Sequence, residues 1–350
     1  MSALSPVISP ASLSVPPILV VAPAWVGDMV MAGSLFRLLR RRRLDTPIDV
    51  LAPPWTAPLT ARMPEVRDTH VLAVGHGELQ LRARWALGRR LRAAGYGQAI
   101  LLPNTLKSAL TPFAARIARR TGYRGEYRYG LLNDLRILDS AHLPLTVERF
   151  LALGLAADEP LPTDWPRPRL VVDAVAQRAA LARLALIRPA GPLLGLCPGA
   201  EFGPAKRWPL DHYATIARRW LGEGGAVWLF GSPRDADLTR AIAADAPDAV
   251  DLAGRTGLTE AVDLLALCDA VVSNDSGLMH VAAALSRPLV ALFGSSSSAH
   301  TPPLGERQRV LSRELDCRPC FQRECPLEHL RCLTGITPDA VWGALAELRP

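Results

Sequence analysis

Three short stretches hold the residue types that could do chemistry. The first is Pro23-Ala24-Trp25-Val26-Gly27-Asp28-Met29, which follows an apolar run and opens a helical pattern. A carboxylate at Asp28 either caps that helix or takes a proton from a bound hydroxyl. It would repel a phosphate, and the stretch lacks the spaced glycines of a dinucleotide fingerprint. The second stretch is Pro198 to Pro209, PGAEFGPAKRWP, where Lys206 and Trp208 precede a helix that Pro209 can start. A lysine there either neutralises a pyrophosphate as a mobile point charge or decorates the surface. The third is Asn274-Asp275-Ser276-Gly277, set between the apolar run Ala270-Val271-Val272 and a helical stretch from Leu278 to Leu285. Ser276 and Gly277 fall at the helix N-terminus, where free backbone N–H groups attract an anion and a glycine permits close approach. The same four residues are also ordinary turn and N-cap chemistry without a ligand. Lys206 and this loop fall on one sheet edge, and the pairing favours the ligand reading.

These stretches need strands and helices to position them. A strand at Pro17–Ala22 precedes a helix running to about Arg43, and further apolar strands follow at Ile48–Leu51, His70–Val74 and Gln98–Leu102. Helices fit between them, at about Glu78–Ala94 and Leu106–Arg119. After helical residues at Thr146–Leu155, the proline-rich stretch Asp158–Arg169 and a helix at Asp173–Ala185 approach a domain boundary. A second alternating series starts at Leu193–Cys197. It continues with strands at Ala226–Phe230 and Ala249–Leu252 and helices at Asp211–Leu221, Arg234–Ala243 and Thr259–Ala266. The unit from Cys268 to Gly294 follows, then a strand near Arg309–Ser312 and a helix at Pro338–Glu347. Strand–helix alternation predicts parallel sheets, with ligands at the strands' carboxyl ends. The expected architecture is α/β: two Rossmann-like domains facing a central cleft, at residues 18–185 and 186–350, with the last helix free to pack back on the first. Residues 1–17 read as a disordered tail.

Composition narrows the partners. The chain has 350 residues, 49% hydrophobic, enough to bury two cores. No uninterrupted apolar run reaches the ~18 residues of a membrane span. The Ser- and Pro-rich start has no Arg or Lys, unlike a signal peptide, so a cytoplasmic protein is expected. Residues 1–180 carry 23 Lys+Arg against 14 Asp+Glu, and the remainder 17 against 19. A basic first half facing a neutral second half suggests that the first half meets an acidic partner. Arg119 to Tyr129 interleaves arginine with tyrosine, which suits phosphate gripping or a solvated loop, but no nucleic-acid-binding motif accompanies it. Six cysteines in such a chain read as thiols or metal ligands rather than disulfides. Cys317, Cys320, Cys325 and Cys332 are spaced C-x2-C-x4-C-x6-C, and the first pair has zinc-ligand spacing, with His329 nearby. The later spacings fit zinc modules poorly, so packed thiols are the main expectation.

Four motifs in order, AWVGDMVM at 24–31, PGAEFGPAKRWP at 198–209, NDSGLMHVAAAL at 274–285 and CRPCFQRECPLEHLRCL at 317–333, resemble the ADP-heptose:lipopolysaccharide heptosyltransferases. The resemblance runs from about Ile18 to the C-terminus. Glu201-Phe202, where type I members carry Thr-Thr, places the chain nearer type II. The resemblance implies a GT-B fold, with acceptor on the first lobe and ADP-heptose on the second. It also implies inverting, single-displacement transfer to the first heptose of heptosyl-Kdo2-lipid A, peripheral to the inner leaflet of a Gram-negative cytoplasmic membrane. No cofactor, metal or nucleic acid is called for. By position, Asp28 matches the catalytic base and Lys206 the lysine near the donor phosphates. Ser276 and Gly277 match the phosphate loop, Asp275 and His280 other donor-site positions, and Thr256 an adenine contact. Arg120, Arg124 and Arg128 are the candidate acceptor contacts, meeting lipid A phosphates and Kdo carboxylates. The alternatives are another enzyme of this family, of type I or III, or a sugar-nucleotide epimerase.

Overall fold

The computed structural model describes residues 15–75 and 78–348, so most of the expected tail lies outside the described residues. Strands β1 (Ile18–Val21), β2 (Ile48–Ala52), β3 (Asp68–Val71), β4 (Gln98–Leu101), β5 (Arg119–Tyr123) and β6 (Asp134–Arg136) form one parallel sheet, in the order β3-β2-β1-β4-β5-β6. Helices α1 (Val26–Arg42), α2 (Leu81–Leu91), α3 (Leu106–Ala114) and α4 (Thr146–Leu153) belong to this lobe, and α5 (Ala174–Arg183) follows the proline-rich linker. The second sheet holds β7 (Leu193–Cys197), β8 (Ala226–Leu229), β9 (Val250–Asp251), β10 (Ala270–Asn274), β11 (Leu289–Phe293) and β12 (Gln308–Ser312). Its order, β12-β11-β10-β7-β8-β9, repeats that of the first. Its helices are α6 (Leu210–Gly222), α7 (Ala236–Asp245), α8 (Leu258–Leu265), α9 (Gly277–Ala284), α10 (Arg331–Thr334) and α11 (Pro338–Leu348).

The central strands β1, β2, β4, β7, β10 and β11 are buried along their whole length, as continuous apolar runs in a parallel sheet require. β3 forms two or three residues earlier than the sequence reading placed it, because Asp68 pairs with Asp49 and fixes the register there. β5 and β6 were not expected. Arg119–Tyr123 looks like a charged loop, yet it pairs along β4 from Gln98↔Arg119 to Leu101↔Gly122. α3 correspondingly stops at Ala114 rather than near Arg119.

Two expectations about domain organisation need correcting. α11 packs on α6 and on β11–β12, so the last helix stays with the second lobe. α5 packs on α8, which means that the chain has reached the second lobe before residue 186. The lobes touch directly: α1 lies against α9, and the turn Ala57–Arg62 against α8. Arg62 donates to both carboxylate oxygens of Asp263 from across this boundary, and both residues are buried. Among the described residues, no helix is long and apolar enough to cross a membrane.

Candidate active site

In the first lobe β1 and β4 are neighbours in space but not in sequence. The chain leaves their carboxyl ends in opposite directions, which opens a crevice. A cavity of about 300 Å³ sits there, lined among others by Trp25, Asp28, Asn104, Thr146, Arg149 and Phe150. Asp28 is the third residue of α1, and Trp25, at the N-cap position, makes no side-chain cap. Among the described residues no backbone N–H is paired with the Asp28 carboxylate, so the capping alternative is not realised. Burial pushes its pKa up to about 6, Lys206 opposes the rise and Asp275 adds to it. A carboxylate that ionises near neutrality and faces a cavity is suited to accept a proton.

The second lobe repeats the crevice between β7 and β10. Asn274, fully buried, ties its rim together. Its Oδ1 accepts from the Trp208 backbone N–H at 3.0 Å and the Tyr213 hydroxyl at 3.1 Å, and its Nδ2 donates to the Pro198 carbonyl at 2.6 Å. With Asn274 fixed, Asp275 points its Oδ2 at the Lys206 ammonium, 2.6 Å away, and accepts the Ser296 hydroxyl on the same oxygen. The Lys206 ammonium also stands 5.0 Å from the centre of the Phe202 ring. Ser276 holds the N-cap position of α9 but directs its hydroxyl to Ser273, at 3.2 Å, and leaves the first-turn N–H groups uncapped.

The two crevices face one another. A Cβ on Gly27 would stand 2.6 Å from His280 Cδ2, and one on Gly277 would stand 2.7 Å from Val26 Cβ. The helix starts of α1 and α9 therefore interlock through two glycines. Gly277 was expected to let an anion approach, and here its open side meets Val26. His280 is buried at this contact; desolvation lowers its pKa to about 4, against an opposing pull from Asp275, so the ring is neutral. Asp28, Lys206, Asp275 and His280 thus form one group assembled from both lobes.

The remaining candidates are scattered. Thr256 lies between β9 and α8, on the same sheet edge but two strands from the switch point. Arg124 is exposed, while Arg120 donates to the Leu131 and Ile117 carbonyls. Arg128 is fully buried and donates to the carbonyls of Pro103 and Tyr123, bracing the cavity floor rather than meeting a ligand. None of the three lines the cavity. Arg149, which does line it, was missed. It sits in the first turn of α4, a helix that packs on α1 and on β5 beside the crevice.

The cysteine segment has an unforeseen place. Arg318 donates to the carbonyls of Gly294, Ser296 and Arg313, and the Phe321 N–H donates to the Ser295 carbonyl. The Arg323 carbonyl accepts the Ala205 N–H. The segment therefore braces both loops that supply partners to Asp275. Its four cysteines and His329 line one apolar cavity of about 50 Å³, and all the thiols are free. No group of three or more His, Cys, Asp or Glu among the described residues is arranged to hold a metal ion.

Comparison with known proteins agrees with this arrangement. The profile of glycosyltransferase family 9 (heptosyltransferase) matches residues 84–331. Lipopolysaccharide heptosyltransferase 2 of Escherichia coli K12 is 48% identical over 343 residues, covering 95% of this chain and 98% of that protein. The Salmonella typhimurium protein of the same description is 45% identical with the same coverage. The chain belongs to glycosyltransferase family 9. Among solved structures, that of Escherichia coli ADP-heptose lipopolysaccharide heptosyltransferase II superimposes with a TM-score of 0.85 at 44% identity, covering 95% of this chain and 98% of that one. The fold is GT-B, as the resemblance implied. The two parallel-sheet lobes facing a cleft follow the residue patterns, though each sheet has six strands and two of those in the first were not expected.

Proposed function

We propose that the chain transfers L-glycero-D-manno-heptose from ADP-heptose to the first heptose of the lipopolysaccharide inner core, on heptosyl-Kdo2-lipid A. The observation that carries this reading is the placing of Asp28, beside a first-lobe cavity, against the Lys206–Asp275 pair of the second lobe. The acceptor heptose occupies the cavity, with Arg149 and Asn104 as polar contacts and Trp25 as an aromatic wall. The donor lies along the second sheet's edge, its diphosphate at Lys206 and the α9 N-terminus and its adenine toward Thr256. Asp28 removes the proton as the acceptor oxygen attacks the anomeric carbon, and the bond from that carbon to the phosphate oxygen breaks. ADP leaves with the bonding pair and inverts the configuration. Lys206 and the uncapped N–H groups stabilise the charge that develops on the leaving phosphate, so no metal is invoked. Asp275 and Ser296 aim Lys206, and the closed lobes exclude competing water. The acceptor's lipid anchor puts the reaction at the cytoplasmic face of the inner membrane. Release of ADP from ADP-heptose that depends on heptosyl-Kdo2-lipid A, with a product heavier by one heptose, tests the reading. Hydrolysis without an acceptor product, or preference for another nucleotide sugar, would overturn it.

A further inference from the structure

We infer that the exposed face of the α2–α3 pair docks on an anionic lipid surface. Leu79, Leu81, Trp85 and Phe113 all stand out of this face, with Trp85 40% exposed and Phe113 38%. Leu81 and Trp85 are four residues apart and share one side of α2. The Trp85 and Phe113 rings touch, with centroids 6.2 Å apart, so the apolar strip runs from α2 onto α3. It is held firmly at its start: the buried Arg84 guanidinium donates to the carbonyls of Leu79 and Glu78. Single exposed hydrophobic residues need no explanation, but a contiguous strip with aromatic members does.

Charge identifies the occupant. Residues 79–125 contain ten Arg and Lys and no Asp or Glu. Arg82, Arg89, Arg90 and Arg116 are exposed on or beside the two helices. Guanidinium groups around leucine and tryptophan match the headgroup region of an anionic bilayer, where phosphates meet the rim and the apolar centre reaches the acyl boundary. A nucleic acid would use the arginines but offer nothing to the exposed leucines. Location adds a reason, which rests on the lipid-linked acceptor proposed above. Asn104 lines the acceptor cavity, α3 begins two residues later, and Phe113 lies two turns along it. A bilayer against this face is then close to the cavity that receives the lipid's sugar.

Sedimentation with vesicles tests this directly. The full chain should bind vesicles of equal parts phosphatidylcholine and phosphatidylglycerol, and not phosphatidylcholine alone. Leu81→Glu with Trp85→Glu, both exposed and outside the site, should weaken binding roughly tenfold or more. Arg82→Glu with Arg89→Glu should do the same without touching the apolar strip, which guards against a folding defect in the first pair. Turnover on a deacylated, soluble acceptor should be unchanged in both, whereas turnover on vesicle-embedded acceptor should fall. Failure of the wild type to bind the mixed vesicles, or binding by both variants as tight as wild type, overturns the docking surface. Absence of turnover on either acceptor would instead overturn the proposed reaction, and vesicle binding would still decide the surface.

Discussion

Asp28 is the residue whose chemistry can be read most directly. Its folded pKa of about 6 lies above the ~3.9 of an unfolded chain. The base form is therefore present above pH 6, and turnover should rise through an acidic limb near that value. Asp28→Asn should lose ~10²–10⁴-fold in kcat while still binding ADP-heptose, because an amide cannot take the proton. A loss of only a few-fold would move the base elsewhere. The stability change runs the other way. A carboxyl that binds its proton more tightly when folded loses stability as the pH rises from about 4 to 6. Asp28→Asn should thus melt with wild type below pH 4 and above it at pH 8, by on the order of 3 kcal/mol. Lys206→Ala, which removes the cation nearest both Asp275 and the expected phosphates, should cost roughly tenfold to a hundredfold in turnover. Because Lys206 holds the Asp28 pKa down, the same variant should move the acidic limb upward. A limb that stays in place would mean that the two groups do not sense each other.

At the scale of elements, the segment that carries the cysteines acts as a brace. Arg318 spans three carbonyls with one planar fork, two of them in the Gly294–Ser296 loop beside Asp275. A lysine keeps the charge but cannot span them. Arg318→Lys should therefore lower kcat several-fold, and in a Lys206→Ala background it should lower it little further, because the brace acts through Lys206. Full additivity in the double variant would make Arg318 a purely structural residue. This role could not have been read from the sequence, where C-x2-C spacing draws attention to the cysteines and Arg318 is one arginine of many. What was legible has a physical reason. Central parallel strands are buried on both faces, so ILVV, LLGLC and LVALF stand out as apolar runs. Asp28, Lys206 and Asp275 follow such runs, and strand ends are where ligands gather. β5 was not legible because its first two residues are arginines whose side chains lie partly in solvent, and only pairing with β4 makes it a strand. The contacts between Gly27 and His280 and between Val26 and Gly277 depend on how the lobes meet, which no local pattern records.

Across the whole molecule, the lobes are fastened at a point away from the chemistry. Arg62 ends the turn Ala57–Arg62 on the first lobe, and Asp263 lies inside α8 on the second, 201 positions along the chain. Arg62 Nε donates to Oδ1 at 2.9 Å and Nη2 to Oδ2, a two-pronged pair that bulk water does not reach. The linker joins the same knot: the Asp173 N–H donates to Asp263, and the Val171 N–H to the Arg62 carbonyl. Removing one partner of a buried pair leaves the other charge unsatisfied and typically costs ~3–5 kcal/mol. Arg62→Ala should therefore lower Tm by roughly 5–15 °C. Because the pair is buried, added salt should not reproduce the loss. Arg62→Met combined with Asp263→Leu leaves no orphaned charge and should recover much of the stability, short of the bonds that Asp263 makes to the linker. Calorimetry on the three proteins decides the matter. If Arg62→Ala melts within a degree or two of wild type, the lobes are held by the α1–α9 contact instead, and the buried pair only fixes their orientation.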